Sequence, residues 1–267
     1  MKHALWLRLL ALLTGDSALI QVIDTHAGAG LYDLRDQMAQ RSREAEAGIA
    51  RLMADPAAPE LFTPLKTAVA AENHNGALRY YPGSPLLTAR ALRRGDSYLG
   101  CELRADDQAT LQGLLDGRTS RSGAVARAIL ADGYSKLGDG ATASNRSRPV
   151  YLIDPPFERG DEYQQIISGV DRALNLSLDA VFAIWAPLKD LETFDALLRG
   201  LEALRPPSLL TAETRLRPLS DPMKMNGSAM VFIGAPDMAP EAETICDWVV
   251  RLCGEKGGAA KVRRLAQ

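Results

Sequence analysis

The chain has only three cysteines and three histidines in 267 residues, and that scarcity excludes two classes of protein. Cys101, Cys246 and Cys253 form no C-x-x-C pair, and His3, His26 and His74 lack metal-ligand spacing, so neither a disulfide framework nor a structural zinc site is expected. Unframed thiols in odd number fit a reducing cytoplasm, where they serve as small core residues. No apolar run approaches the roughly 20 residues of a membrane-spanning helix. Internal repeats are missing too, and neither sign of charge dominates: 31 basic residues against 33 acidic ones give a net charge of −2, which does not mark a nucleic-acid binder by composition. With 46% hydrophobic and 24% charged residues, the chain falls in the ordinary globular range, and disorder need not be considered.

The basic residues that are present are mostly arginine, and several cluster: Arg90, Arg93 and Arg94; Arg118 and Arg121; Arg146 and Arg148; Lys261, Arg263 and Arg264. The guanidinium fork suits bidentate phosphate contacts, although a solvated helix face is the commoner role of such a cluster. At the amino end, Met1-Lys2-His3 followed by Ala4 to Leu13 imitates a secretory signal. Arg8 interrupts the run and no small-residue cleavage site follows, so an amphipathic first helix is expected instead.

Seven apolar runs read as strands: Ala18 to Ile23, Ser97 to Leu103, Ala126 to Ala131, Val150 to Ile153, Ala180 to Trp185, Leu209 to Thr214 and Ala229 to Ile233. Helical stretches such as Tyr163 to Leu174 and Thr193 to Leu204 lie between most of them, so the expected fold class is α/β with a mainly parallel sheet in one domain, 1–267. More than sixty residues separate the first two strands, far beyond an ordinary connection. Leu34 to Met53 and Glu60 to Glu72 are amphipathic, with Pro56 and Pro59 as breakers, so about 33–79 reads as a small helical insertion beside the cofactor edge of the sheet. Leu137 to Arg148, rich in Gly, Ser, Ala and Asn, reads as a flexible surface connection.

Doubly wound sheets bind ligands outside the carboxyl ends of their strands, so the residues that follow each run carry the chemistry. The first strand ends in Asp24-Thr25-His26-Ala27-Gly28-Ala29-Gly30, where Gly28 and Gly30 let the backbone approach a ligand and Asp24 supplies a carboxylate. Dinucleotide-binding proteins and plain tight turns share that pattern. Glu102, ending the second strand, is placed to accept both hydroxyl hydrogens of an adenosine ribose. Asp132-Gly133, ending the third, suits the amino group of a cofactor adenine, and either acid is also at home in a solvated loop.

The fourth strand runs into Asp154-Pro155-Pro156-Phe157. Two prolines remove two backbone donors and leave their carbonyls free to accept. An adenine N6 lone pair is delocalised into the ring. Acceptance of its two hydrogens by Asp154 and the Pro155 carbonyl favours the reactive, pyramidal nitrogen, while Phe157 stacks on the base. With the glycine turn and the spaced acids, this loop points to methyl transfer from S-adenosylmethionine, ahead of a nicotinamide enzyme or a plain strand-ending turn. Trp6, Trp185 and Trp248 read as core or rim aromatics.

Four segments in order, Asp24 to Gly30, Tyr80-Tyr81-Pro82-Gly83-Ser84-Pro85, Leu152 to Phe157 and Asn226-Gly227-Ser228-Ala229-Met230, resemble the RlmJ-type methyltransferases, which make N6-methyladenine in 23S ribosomal RNA. The resemblance implies a class I methyltransferase fold, with a seven-stranded sheet whose last strand is antiparallel and a helical insertion near the active site. It further implies contacts to S-adenosylmethionine at His3, His26, Ser84, Glu102, Asp132 and Gly133, and a catalytic acid at Asp154. The expected partner is 23S ribosomal RNA, naked or partly assembled, met by a monomer in the cytoplasm. Adenine methylation in DNA and a non-catalytic RNA-binding role are the alternatives.

Family members carry a further segment rich in His, Asn and Gly before the Lys-His pair seen here as Lys2-His3; starting at Met1 without it, the chain is expected to hold substrate less tightly. Phe157 stands where tyrosine is commoner, which keeps stacking and loses one hydroxyl hydrogen bond.

Overall fold

The computed structural model describes residues 1–35, 46–74, 76–117, 123–139, 147–218 and 225–266. The amino-terminal half contains α1 (Lys2–Gly15), β1 (Leu19–Asp24), β2 (Leu31–Asp33), α2 (Arg51–Ala54), α3 (Thr63–Ala71), β3 (Tyr80–Pro82), α4 (Ser84–Ala91), β4 (Ser97–Glu102), α5 (Ala105–Asp116) and β5 (Val125–Leu130). The remainder contains β6 (Ser147–Ile153), α6 (Glu162–Leu176), β7 (Val181–Leu188), α7 (Leu191–Ala203), β8 (Leu209–Arg215), β9 (Gly227–Ile233), α8 (Ala239–Cys253) and β10 (Ala259–Ala266). All seven expected strands form.

They join an eight-stranded sheet in the order β10-β8-β9-β7-β6-β1-β4-β5. Strands β5, β4, β1, β6 and β7 run parallel, and β9 lies antiparallel between β7 and β8. From β1 the chain steps outward through β4 to β5, then returns to pair β6 on the other side of β1, so strand order reverses at β1, the place beside which such sheets bind ligands. The eighth strand, β10, was not expected from sequence. Its Lys261, Arg263 and Arg264 break the apolar pattern of a buried strand, yet charge of this kind is how an edge strand avoids pairing with other chains. At the opposite edge, Gln108 and Gln112 of α5 occupy the outward backbone groups of Ala128, the amide of Gln108 donating to its carbonyl (2.8 Å) and that of Gln112 accepting from its N–H (2.7 Å).

The first helix is present, but it is buried on most sides rather than amphipathic. Leu5, Trp6, Leu9 and Leu10 are wholly enclosed, because α1 packs against α3, α4, α8 and the sheet at once. The insertion is helical at α2 and α3, as its periodicity indicates, but it is closed at its base by an antiparallel ribbon of β2 and β3 that three-residue runs did not reveal. Its body leans on α1 and α8: Phe62 packs on Trp248 with ring centres 4.4 Å apart, and Trp248 Nε1 donates to Asp55. Residues 36–45 of the insertion and most of the expected connection before β6 (140–146) lie outside the described residues.

At the amino end of the sheet, Asp96 accepts from the backbone N–H of Ile20 (2.9 Å) and Arg93 (2.8 Å) and from the Arg93 guanidinium (3.0 Å), which in turn donates to the carbonyls of Thr14 and Ala18. Burial alone would raise its pKa, but these hydrogen bonds outweigh burial and hold it below the usual carboxylate value. The stability this provides is present above the unfolded-state pKa and is lost as pH falls through the lower folded value. Asp96→Ala is expected to cost about 2 kcal/mol at pH 7, Arg93 being partly in solvent, with the gap to wild type closing in acid; urea unfolding at pH 7 and below pH 4 measures both.

Candidate active site at the strand ends

Asp24, the last residue of β1, has 0% of its surface exposed. Its carboxylate accepts from Ser84 Oγ at 2.7 Å, the Tyr98 hydroxyl at 3.2 Å and the backbone N–H of His26 at 3.3 Å. One carboxylate thereby joins β1, α4 and β4. Burial pushes its pKa up to about 6, against the opposing pull of Ser84, and nearby Asp154 adds to the rise.

Glu102 closes β4 and accepts from the N–H of Gly28 (3.0 Å) and of Arg104 (2.9 Å), one on each oxygen. Each oxygen keeps a lone pair for a further donor, which suits two vicinal hydroxyls. Asp132 accepts from Tyr134 N (3.0 Å) and caps the turn Gly133–Lys136. A Cβ on Gly133 would stand 1.9 Å from the Thr25 carbonyl, so only glycine lets the turns after β1 and β5 meet. His26 lies edge-on to Tyr134 with ring centres 5.0 Å apart, and its Nδ1 is 2.8 Å from Thr25 Oγ1. His26, Glu102, Asp132 and Gly133 are thus gathered where β1, β4 and β5 end.

The glycine turn has the left-handed backbone that its sequence indicates, with φ of 65° at Gly28 and 84° at Gly30. The space beside both glycines is taken by side chains: the Tyr32 hydroxyl would be 2.2 Å from a Cβ on Gly28, and Leu111 of α5 would be 2.7 Å from one on Gly30.

Asp154 follows β6, and its side chain is 17% exposed. It forms an ion pair with Lys2, whose ammonium also sits 5.8 Å from the centre of the Trp185 ring. Pro155 is buried and Pro156 exposed. Phe157 holds φ at 53°, a left-handed conformation that costs a bulky residue about 1–3 kcal/mol. Its ring is kept there by Tyr163 and Trp185, at 4.9 and 5.9 Å. His3 stacks on Tyr81, with Nδ1 2.6 Å from the Tyr81 hydroxyl. Burial holds the pKa of His3 well below its ordinary value, with Lys2 adding to the effect; burial also lowers His26, against the pull of Asp154, Asp132 and Glu102.

Four aromatic residues and a lysine were missed as site residues by sequence reasoning: Tyr32, Tyr81, Tyr98, Trp185 and Lys2. Lys2 carried a signal as half of the Lys-His pair and Tyr81 as part of the Tyr80 to Pro85 segment, whereas Trp185 read only as a core or rim aromatic. Several arginines of the clusters pair within the protein, while Arg94 and Lys261 are exposed. Arg90 binds Glu72 and the Ala68 carbonyl, Arg93 binds Asp96, Arg148 reaches the carbonyls of Asp179 and Gly234, Arg263 pairs with Glu213 and Arg264 with Asp237. Arg118, Arg121 and Arg146 lie outside the described residues.

With its folded pKa near 6 against an ordinary aspartate value of 3.8, Asp24 costs stability as pH climbs between the two, and the cost is complete above about 6. Asp24→Asn is therefore expected to stabilise the cofactor-free protein by up to about 2 kcal/mol at pH 8, a gain that shrinks toward pH 4; thermal melts across that range check it.

The profile of the family described as ribosomal RNA large subunit methyltransferase D, RlmJ, matches residues 16–265. Ribosomal RNA large subunit methyltransferase J of Escherichia coli (strain K12) is 32% identical over 228 residues, covering 85% of this chain and 79% of that protein. Its counterpart in Haemophilus influenzae is 30% identical over 215 residues, covering 80% and 74%. The crystal structure of protein LPL1258 from Legionella pneumophila superposes with a TM-score of 0.87 at 25% identity, over 98% of this chain and 94% of that one. A match that runs through every strand end described above, from Asp24 to the Asp154 loop, makes this chain a member of the RlmJ family of ribosomal RNA large subunit methyltransferases.

Proposed function

We propose that the protein methylates the N6 amino group of an adenine in 23S ribosomal RNA, using S-adenosylmethionine. The observation that carries this reading is Asp154 at the carboxyl end of β6, partly open to solvent, with Pro155 behind it and Phe157 and Trp185 beside it. The cofactor supplies a methyl group activated on a sulfonium. The residues fit such a molecule: Glu102 retains acceptor capacity for ribose hydroxyls, Asp132 and Gly133 stand ready for an adenine edge, and His3, His26 and Ser84 would hold the remainder.

The reaction demands little acid–base chemistry and much alignment. One oxygen of Asp154 is engaged by Lys2, which fixes the carboxylate and supplies its counter-charge; the other is assigned to one N6 hydrogen, and the Pro155 carbonyl to the second. Drawing on both hydrogens localises the nitrogen lone pair for attack on the methyl carbon. Asp154 would then accept the surplus amino proton along that hydrogen bond. Phe157 and Trp185 offer the base an aromatic wall, which suits a purine taken out of its stack. We read the chain as a cytoplasmic monomer; no described helix is long and apolar enough to cross a membrane, and the glutamines closing the β5 edge oppose strand addition there.

Asp154→Ala is expected to keep cofactor binding within about threefold by calorimetry and to lose more than about 100-fold in methyl incorporation into protein-free 23S RNA. Normal turnover would remove the acid from the mechanism, and label entering only duplex DNA would overturn the substrate. Lys2→Met, which leaves Asp154 without its partner, is expected to lower kcat by about tenfold or more with little change in cofactor affinity; single-turnover assays test it.

A further inference from the structure

We propose that Tyr32 and Tyr81, facing each other across the β2–β3 ribbon, are positioning residues for the amino-acid end of the cofactor, each directing a hydrogen-bond donor at its carboxylate. The proposal rests on the reading that S-adenosylmethionine is held at these strand ends.

Tyr32 pairs directly with Tyr81 in the antiparallel register, so both side chains rise from the same face of the ribbon. That ribbon is tied down at both ends. Gly83 N donates to the Gly30 carbonyl at 2.8 Å, fastening it to the glycine turn, and Leu34 N donates to the Arg79 carbonyl at 2.7 Å. Asn73, just past α3, accepts from the N–H of Arg79 and Tyr80 and donates to the Tyr80 carbonyl. Arg79 completes the frame by pairing with Asp33 at 2.8 Å. The ribbon is therefore a fixed mount.

Tyr32 lies in a slot that two glycines create. A Cβ on Gly28 would stand 2.2 Å from its hydroxyl, and one on Gly83 would stand 2.9 Å from its ring. Gly83 has an ordinary φ of −73°, so glycine is required there for space and not for backbone conformation. With 43% of its surface in solvent, the ring covers the glycine turn from outside. Its pKa is pushed up to about 12, by burial of the hydroxyl end first and then by Asp24, Asp154, Asp107 and Glu102, so the hydroxyl is a neutral donor. Acids in that number suit the ribose and the cationic groups of S-adenosylmethionine and repel its single anion, the α-carboxylate. Donors for that anion must come from elsewhere.

Tyr81 supplies the second donor indirectly. Its hydroxyl stands 2.6 Å from His3 Nδ1, with the rings stacked 5.5 Å apart. Burial keeps the phenol protonated and the imidazole neutral, so the more acidic phenol donates to Nδ1 and the proton of His3 remains on Nε2. The tautomer that Tyr81 selects is the one that can donate to an anion.

The test measures calorimetric binding of S-adenosylhomocysteine, and of 5′-methylthioadenosine, which lacks the amino-acid portion, to wild type, Tyr32→Phe and Tyr81→Phe. Each variant is expected to bind S-adenosylhomocysteine about tenfold more weakly and methylthioadenosine within about twofold of wild type, with the cofactor KM rising in proportion and kcat nearly unchanged. Nitrogen NMR of His3 is expected to show Nε2–H alone in wild type and mixed tautomers in Tyr81→Phe. Unchanged affinity for S-adenosylhomocysteine in variants that melt like wild type, or equal weakening of both ligands, overturns the assignment of the tyrosines while leaving the cofactor reading intact. Failure of wild type to bind S-adenosylhomocysteine overturns the cofactor reading and this proposal with it.

Discussion

The site depends on one carboxylate with no access to water. Asp24 ends β1, the strand on which the sheet reverses its order, and it is satisfied by a serine from α4, a tyrosine from β4 and the backbone of its own turn. A buried acid without such partners would cost several kcal/mol, so the three elements are constrained to arrive together. That constraint fixes the start of α4, and through the neighbouring Gly83 the ribbon as well. It also leaves Asp24, with a raised pKa, at the strand ends where a cationic cofactor is proposed to bind.

Around this point the fold spends small and charged residues on its own packing. Gly133 lets two turns touch, Gly30 admits Leu111, and Gly28 and Gly83 make room for Tyr32. The described arginines of the clusters mostly staple distant segments, drawing on carbonyl groups at strand and helix ends as much as on acids.

Much of the architecture was legible because periodicity is local. The seven strands, the helix over Glu60 to Glu72 and the prolines before it all declare themselves within a few residues, since burial on both faces forces continuous apolar runs on the central strands and even the exposed edge β5 keeps a mostly apolar one. Strand β10 does not, because an edge strand tolerates Lys261, Arg263 and Arg264. The ribbon escapes for a different reason: three residues are too few to show an alternation, and its pairing joins positions some fifty residues apart. The Asp154 loop was visible as a motif, but its partners were not. Lys2 reaches it from the first helix and Trp185 from β7.

The sequence by itself determined which chemical groups are available and the order in which strands deliver them: an acid after each of four strand-forming runs, a glycine turn after the first, and a proline-fixed loop after the fourth. These are consequences of local composition, and they survive in any fold that keeps the runs parallel. Tertiary structure alone decided which groups face one another. It enclosed Asp24, set Lys2 against Asp154, drew His3 under Tyr81 and laid Tyr32 across the glycines. Such pairings depend on the crossing of β1 between β4 and β6 and on the anchoring of the insertion, distances in space that no spacing along the chain encodes.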